Sequence, residues 1–178
     1  SMTYAQIPGW FDFAQVYDDA VAQAKDGATF VEVGCWLGKS TAYMAQAIKA
    51  SGKQIKFYAV DKWDGFEHGL FPDLRGDFSG FARNILDCGL ADVVRPLCVE
   101  SHRAANVFDD WTVDFCFIDG DHAYESVHVD IEHWIKKMKA GGTLAGHDYG
   151  EGGVYSAVEH CLERGRSLTV YSVGSCWM

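Results

Sequence analysis

Two clusters of acidic and histidine residues are the part of this chain whose residue types and spacing best suit chemistry. The first is Asp119-Gly120-Asp121-His122 and the second is His147-Asp148, and each directly follows an apolar run. Ionisable groups held close together repel one another and lose hydration unless a cation or a substrate compensates them. Oxygen ligands with some imidazole suit Mg²⁺, Mn²⁺ or Ca²⁺, and the histidines also allow Zn²⁺ or iron. The alternative is that Asp121 caps a helix and that the histidines are exposed loop residues.

A glycine turn between a predicted strand and a predicted helix supplies a candidate binding edge. Residues 29–34 read TFVEVG, which predicts a strand that breaks at Gly34. Gly34 can take a positive φ, and Gly38 allows a ligand to approach the backbone. Ser40 or Thr41 can cap the helix that follows.

The turn excludes two kinds of phosphate site. A dinucleotide fingerprint needs glycine where this chain has Trp36 and Lys39, so a pyrophosphate would meet an indole. No phosphate-binding P-loop can be written here either. We therefore expect a nucleoside without phosphates. Asp61 ends the next predicted strand, where its carboxylate can accept hydrogen bonds from a ribose diol or can simply end the strand.

The elements that must position these residues alternate along the chain. An aromatic, glycine-rich stretch at 62–80 offers stacking faces that suit a ring or sugar acceptor, although aromatic residues near a sheet end more often serve packing. The pair Gly141-Gly142 predicts the stop between a long helix and the following strand. Alternation predicts an α/β, doubly wound, parallel sheet with helices on both faces and ligands at the carboxyl ends of the strands. The predicted strands are 29–34, 55–61, 93–99, 113–119, 143–147 and 168–173, and the predicted helices are 11–25, 40–50, 78–88, 102–110, 124–138 and 153–164.

Composition limits the class of protein. The chain has 178 residues, of which 48% are hydrophobic, so we expect a single domain spanning residues 1–178. A formal charge of −10 argues against a nucleic-acid partner. No apolar run approaches the roughly 18 residues of a membrane span, and no leader is evident. Six cysteines without a C-x-x-C pair favour a reducing compartment, and hence a cytoplasmic location.

Several motifs together resemble one enzyme class. The pattern E-x-G-x-x-x-G-x-S, from Glu32 to Ser40, is similar to the first motif of class I S-adenosylmethionine-dependent methyltransferases. The run D-G-D-H-x-Y-E from Asp119, a long helix, Gly-Gly and H-D-Y resemble the small group of macrocin, rhamnosyl and catechol O-methyltransferases. The run DKWDGFEHG at 61–69 also resembles that group's D-x-W-x-G-x-x-H-x-G. The resemblance covers residues 29–150 and implies a mostly parallel, Rossmann-like methyltransferase sheet. It also implies a seventh strand near the end of the chain, either very short or trimmed.

The resemblance implies a set of cofactor-binding residues. Glu32 would face the methionine amino group of S-adenosylmethionine, while Gly34 and Gly38 would line the cofactor. Ser101 would bond the adenine edge, although capping of the next helix is an equal alternative. The full predicted set is Glu32, Gly34, Trp36, Gly38, Ser40, Asp61, Ser101 and Asp119.

The resemblance also assigns roles in the chemistry. Asp119, His147 and Asp148 would hold a divalent cation, and His122 stands where the family keeps a base. Metal-dependent relatives usually have a carboxylate where this chain has His147, so the site for a hard cation is weaker here. Imidazole nitrogen shifts the preference toward manganese, zinc or iron.

These observations predict transfer of a methyl group from S-adenosylmethionine to a hydroxyl oxygen of a small molecule or glycan, with or without a divalent metal. The expected partner is a small-molecule or sugar acceptor, with no nucleic acid and no membrane. Only residues 62–80 and the first two dozen residues of the chain can close the site. We therefore expect an acceptor pocket that is open or shared, which allows a homo-oligomer. One alternative is a non-haem iron oxygenase that uses His122, His147 and one aspartate. Another is a non-catalytic module that binds S-adenosylmethionine.

Overall fold

The computed structural model describes residues 1–163, 172–173 and 176–178 of the chain. The predicted strand at 168–173 therefore lies mostly outside the described residues. Within the described residues, no helix is both long and apolar enough to cross a membrane. The helices are α1 (Ala14–Gln23), α2 (Lys39–Ser51), α3 (Phe78–Asp87), α4 (Ser101–Ala105), α5 (Tyr124–Trp134) and α6 (Gly152–Glu163). The strands are β1 (Thr29–Val33), β2 (Lys56–Asp61), β3 (Asp64–Glu67), β4 (Arg75–Asp77), β5 (Val94–Cys98), β6 (Val113–Ile118), β7 (Met138–Gly146), β8 (Ser172–Val173) and β9 (Cys176–Trp177).

One sheet of seven strands runs through the molecule in the order β5-β2-β1-β6-β7-β9-β8. Strands β5, β2, β1, β6 and β7 pair in parallel, and β9 pairs with β7 in the antiparallel direction. The carboxyl ends of β1, β2, β6 and β7 therefore meet at one edge, here called the strand-end edge. The predicted α/β fold is confirmed, and the expected seventh strand exists as the two-residue β9.

Alternating side chains of the strands build a core on each face of the sheet. Phe30, Phe57 and Phe115 pack on the face covered by α1, α2 and α3. Val31 and Cys116 pack on the other face, against α4, α5 and α6. Because successive strand residues point to opposite faces, an almost continuous apolar run fills both layers. Burial on both sides fixes the register of the strands and, with it, the residues at the strand-end edge.

Two segments differ from the prediction. The long helix ends at Trp134 and a 3-10 turn, and Gly141-Gly142 lie inside β7 rather than before it. Gly141 has φ 78°, and the register between β6 and β7 shifts there, so the pair forms a bulge that glycine tolerates. The stretch at 62–80 folds back on itself as the antiparallel ribbon β3–β4.

Candidate active site

The turn after β1 needs glycine for close packing. Gly34 has φ 85°, and a Cβ there would lie 2.1 Å from the carbonyl oxygen of Asp119. The turn therefore presses directly on the end of β6. Gly38 has φ 91° and occupies the N-cap position of α2, where its Cβ would lie 3.0 Å from the ring of Phe81. Both glycines are thus required by geometry that the protein itself imposes.

Glu32 lies below this turn and is only 1% exposed. Its carboxylate accepts hydrogen bonds from the hydroxyls of Tyr17 and Thr41. Burial raises the pKa of Glu32 above its ordinary value, although those two hydrogen bonds oppose the shift. The carboxylate therefore joins α1, β1 and α2 from inside, and its contact with a methionine amino group stays a prediction.

Asp61 holds the outer side of the turn. Its Oδ2 accepts hydrogen bonds from the backbone N–H groups of Cys35 at 2.8 Å and Trp36 at 2.9 Å. Its Oδ1 accepts one from the N–H of Trp63 at 2.8 Å. A carboxylate has about four acceptor positions, so one position on Oδ1 is left for a ligand hydroxyl. Asp61 thus fixes the shape of the turn. Its binding of a ribose hydroxyl, which the sequence predicts, would use the remaining acceptor position.

Trp36 connects the turn to the β3–β4 ribbon. Its indole N–H donates to the carbonyl of Phe66 at 3.0 Å, and its own carbonyl accepts from the indole of Trp63 at 2.8 Å. A Cβ on Gly76 would lie 2.1 Å from the Trp36 ring, so the ribbon packs directly on that ring. Both tryptophans have φ 45°, which is strained for a bulky side chain. Asp61 and the ribbon together hold this conformation.

Ser40 and Ser101, the two serines of the predicted cofactor set, both lie against other parts of the protein. Ser40 is buried within α2, and no side chain caps that helix, so the prediction of a Ser40 or Thr41 cap is wrong. The Oγ of Ser101 accepts a hydrogen bond from the indole of Trp134 at 2.8 Å, and its hydroxyl also bonds Asp130. Burial raises the pKa of Asp130 to about 6, although Ser101 opposes the shift. Ser101 is therefore tied to α5 rather than capping α4.

At the other half of the strand-end edge, His147 lies between carboxylates. It is 6% exposed, its Nε2 is 2.7 Å from Oδ1 of Asp12, and its Nδ1 is 3.1 Å from Oδ2 of Asp148. The same Nδ1 is 3.6 Å from Oδ1 of Asp119. Burial by itself lowers the pKa of His147, but its bonds to Asp119 and Asp148 outweigh that effect and raise it to about 10.

A pKa of about 10 favours the protonated form of His147 at neutral pH. Both of its ring nitrogens face carboxylates, and the role of His147 as a metal ligand stays a prediction. A positive charge on His147 offsets part of the negative charge of Asp12, Asp119 and Asp148. Burial tends to raise the pKa of Asp148, but His147 outweighs this and lowers it. Burial raises the pKa of Asp119 despite the bond from His147.

His122 is the exposed member of the cluster. Its Nε2 lies 2.7 Å from Oδ2 of Asp148, and 54% of its side chain is exposed. Ligand atoms of Asp119, His122 and Asp148 all lie within 4.8 Å of one another. Asp121 points elsewhere, because it accepts hydrogen bonds from the N–H of Ala123 at 3.1 Å and the hydroxyl of Ser126 at 2.8 Å. Asp121 therefore braces the loop before α5, but it is not the cap that the alternative interpretation expected, because Ala123 is the N-cap and no side chain caps this helix.

Two residues of this site are absent from the sequence prediction. Asp12 reaches His147 across 135 positions of the chain, and Tyr17 reaches Glu32 across 15. Both come from the amino-terminal segment, where they fall within or beside an ordinary amphipathic pattern. No local signal marks either one, since their roles arise only when α1 packs against the sheet.

Comparison with known protein families decides the class of this fold. The profile of a methyltransferase-domain family matches residues 31–149, which includes the turn, Asp61 and the whole acidic cluster. The chain belongs to this methyltransferase-domain family. A curated relative of the domain, the uncharacterized protein y4gI of Sinorhizobium fredii (strain NBRC 101917 / NGR234), is 30% identical over 118 residues. That match covers 66% of this chain, which spans only 13% of the relative.

Solved structures share the fold of this methyltransferase domain. The O-methyltransferase NovP superposes with a TM-score of 0.74 at 17% identity, over 92% of this chain and 77% of NovP. The S-adenosylmethionine-dependent O-methyltransferase TM0748 of Thermotoga maritima gives 0.64 at 17% identity, over 93% and 56%. SMU.1697c of Streptococcus mutans, solved with S-adenosylhomocysteine, gives 0.63 at 12% identity, over 95% and 97%. The domain therefore has the fold of S-adenosylmethionine-dependent methyltransferases.

Proposed function

We propose that this methyltransferase domain transfers the methyl group of S-adenosylmethionine to a hydroxyl oxygen of a small molecule or sugar. The observation that carries the proposal is the contact between Gly34 and the carbonyl of Asp119. It brings a nucleoside-type turn and an acid–histidine cluster to one edge, as transfer between two bound molecules requires. Fold likeness alone does not define an acceptor.

The cofactor half follows from the turn and Asp61. The nucleoside would lie over Gly34 and Gly38, and one ribose hydroxyl would donate to the remaining acceptor position of Asp61. The indole of Trp36 is held against the ribbon and occupies the place that a pyrophosphate would need. The proposal therefore favours adenosine linked to methionine over a dinucleotide.

In the transfer step, the acceptor oxygen attacks the sulfonium methyl group, the carbon–oxygen bond forms and the carbon–sulfur bond breaks. The electron pair of the broken bond stays on sulfur, which gives S-adenosylhomocysteine. His122 takes the proton of the acceptor hydroxyl. With Nε2 of His122 donating to Asp148, Nδ1 is the proton acceptor, and the carboxylate orients the ring as in other paired bases.

A divalent cation is a second candidate component, because Asp119, His122 and Asp148 offer three ligand atoms close together. When bound, such a cation lowers the pKa of an acceptor hydroxyl that it coordinates. His122 would then ligate and give up its bond to Asp148, so the two roles of His122 exclude each other. The oxygenase alternative needs a second imidazole ligand, and His147 is held by carboxylates on both nitrogens.

The direct test of transfer uses S-adenosylmethionine labelled in the methyl group and a panel of phenols, catechols and deoxysugars. We expect labelled methyl ether with at least one acceptor class, and a rate about 100- to 10,000-fold lower with His122→Ala. Activity that survives a chelator supports His122 as the base, whereas activity that chelation removes and Mn²⁺ restores supports the metal role. Binding of S-adenosylmethionine without transfer to any acceptor would favour the non-catalytic module.

A further inference from the structure

A second cluster of possible ligand atoms lies between helices α5 and α6, away from the strand-end edge. His128 and Glu132 are four residues apart on α5, so they lie on the same face of that helix. Cys161 faces them from α6. One ligand atom from each of these three residues lies within 4.8 Å of the other two. The cluster therefore brings a thiol, an imidazole and a carboxylate to one point.

The spacing of the thiol and the imidazole matches tetrahedral coordination. Sγ of Cys161 is 3.6 Å from Nδ1 of His128. A tetrahedral Zn²⁺ with Zn–S of about 2.3 Å and Zn–N of about 2.0 Å separates these two atoms by about 3.5 Å. Cys161 is 1% exposed, and Oε1 of Glu132 is buried as well. Water would therefore compete little for an ion held here.

Neighbouring rings fix the orientation of His128. The Tyr124 ring stacks on it with centroids 5.6 Å apart, and the His160 ring lies 5.1 Å away. The hydroxyl of Tyr124 is in turn 2.9 Å from Nδ1 of His160. Side chains that orient a first ligand in this way improve metal affinity. The cluster thus has an ordered surround in addition to its ligand atoms.

The geometry points to a binding site for a thiophilic divalent cation, zinc by preference, formed by His128, Glu132 and Cys161. Thiolate with imidazole and carboxylate is a ligand set typical of Zn²⁺ and poorly suited to Mg²⁺ or Ca²⁺. On binding, the Cys161 thiol releases its proton to the buffer and a sulfur–metal bond forms. The ion joins α5 to α6 and stabilises the packing of α6. The site is independent of the proposed methyl transfer.

Cobalt substitution tests the site directly. Protein dialysed against a chelator is titrated with Co²⁺, and we expect thiolate-to-cobalt charge-transfer absorption and tetrahedral cobalt bands that saturate at one ion per cluster. This signal separates the cluster from Asp119, His122 and Asp148, because that group contains no cysteine. Addition of Zn²⁺ should abolish the signal and raise the melting temperature.

Variants decide which residues hold the ion. Cys161→Ser should remove the charge-transfer absorption, and His128→Ala should weaken Zn²⁺ binding by at least about 100-fold. His133→Ala on the same helix and Cys88→Ser at the end of α3 are matched controls that should leave both measurements unchanged. Half-buried His128 supplies a second variant if Cys161→Ser does not fold. A cobalt titration without thiolate absorption, or absorption that persists in Cys161→Ser, would overturn the proposal and leave the 3.6 Å contact as a thiol–imidazole hydrogen bond.

Discussion

The strand-end edge has two halves, the cofactor half around the turn after β1 and Asp61, and the acidic half around Asp119 and Asp148. The two halves satisfy their polar groups in different ways. In the cofactor half, Glu32 accepts hydrogen bonds from hydroxyls on α1 and α2, and Asp61 accepts them from backbone N–H groups of the turn. In the acidic half, Asp119 and Asp148 both lie against buried His147 and leave His122 exposed. The first half is therefore a preformed cradle, whereas the second is an acidic cluster around a buried imidazole, with a second imidazole that is accessible. A ligand can bind the cradle without breaking its hydrogen bonds, whereas a ligand of Asp119 or Asp148 must replace one of their present partners.

The largest expected effect comes from breaking the acidic half at its exposed base. His122→Ala should lower turnover by about 100- to 10,000-fold, because general-base catalysis contributes that much. Affinity for S-adenosylhomocysteine should stay within about twofold, since the cofactor half is untouched. Initial rates and calorimetry on the same preparation measure both quantities. His102→Ala, a histidine at the start of α4, is the control, and near wild-type turnover in His122→Ala would remove His122 from its proposed role.

Breaking the cradle at Asp61 should affect binding first. Asp61→Ala removes the acceptor of three backbone N–H groups and of the proposed ribose hydroxyl, so S-adenosylhomocysteine should bind more weakly by about 1–3 kcal/mol. Calorimetry gives the affinity. Asp64→Ala changes an exposed carboxylate that forms an ion pair with Lys62, and it should have little effect. Equal affinities of the two variants would contradict the account of Asp61.

A methyl group added at Gly76 should displace the β3–β4 ribbon from the ring of Trp36. Gly76→Ala places a Cβ about where the Trp36 ring now packs, and overpacking of this kind should cost about 1–2 kcal/mol of unfolding free energy. Urea denaturation measures the loss. Gly69→Ala in the same ribbon meets no atom within 4 Å and should be neutral. If both variants are equally stable, Trp36 is not fixed by the ribbon.

The smallest expected effect compares the loss of a hydroxyl that bonds a buried carboxylate with the loss of a hydroxyl that bonds an exposed carboxylate. Tyr17→Phe removes one donor from the buried carboxylate of Glu32 and should destabilise the domain by about 1 kcal/mol. Tyr43→Phe removes a bond to exposed Asp18 and should change the unfolding free energy by less than about 0.5 kcal/mol. Thermal and urea unfolding give the difference. A loss as large in Tyr43→Phe as in Tyr17→Phe would argue against the buried network.

Local patterns predicted the fold well because strands with both faces buried have recognisable apolar runs and end at polar residues. They failed where one signal has two structural meanings, as with Gly141-Gly142, which form a bulge inside β7 rather than a helix stop. The site was predicted only as a set of positions. The partners of Glu32 and His147 lie in the amino-terminal segment, and only tertiary packing brings them together. The sequence therefore could not show that His147 is bonded by carboxylates while His122 is exposed.

Calorimetry with S-adenosylhomocysteine and NAD tests the central claim most directly, because it needs no knowledge of the acceptor. We expect that S-adenosylhomocysteine binds the unaltered protein at one site, that Asp61→Ala weakens this binding, and that NAD gives no saturable heat. Trp36 and the ribbon exclude the pyrophosphate in this account. Tight binding of NAD with no response to S-adenosylhomocysteine would contradict the proposed methyl transfer.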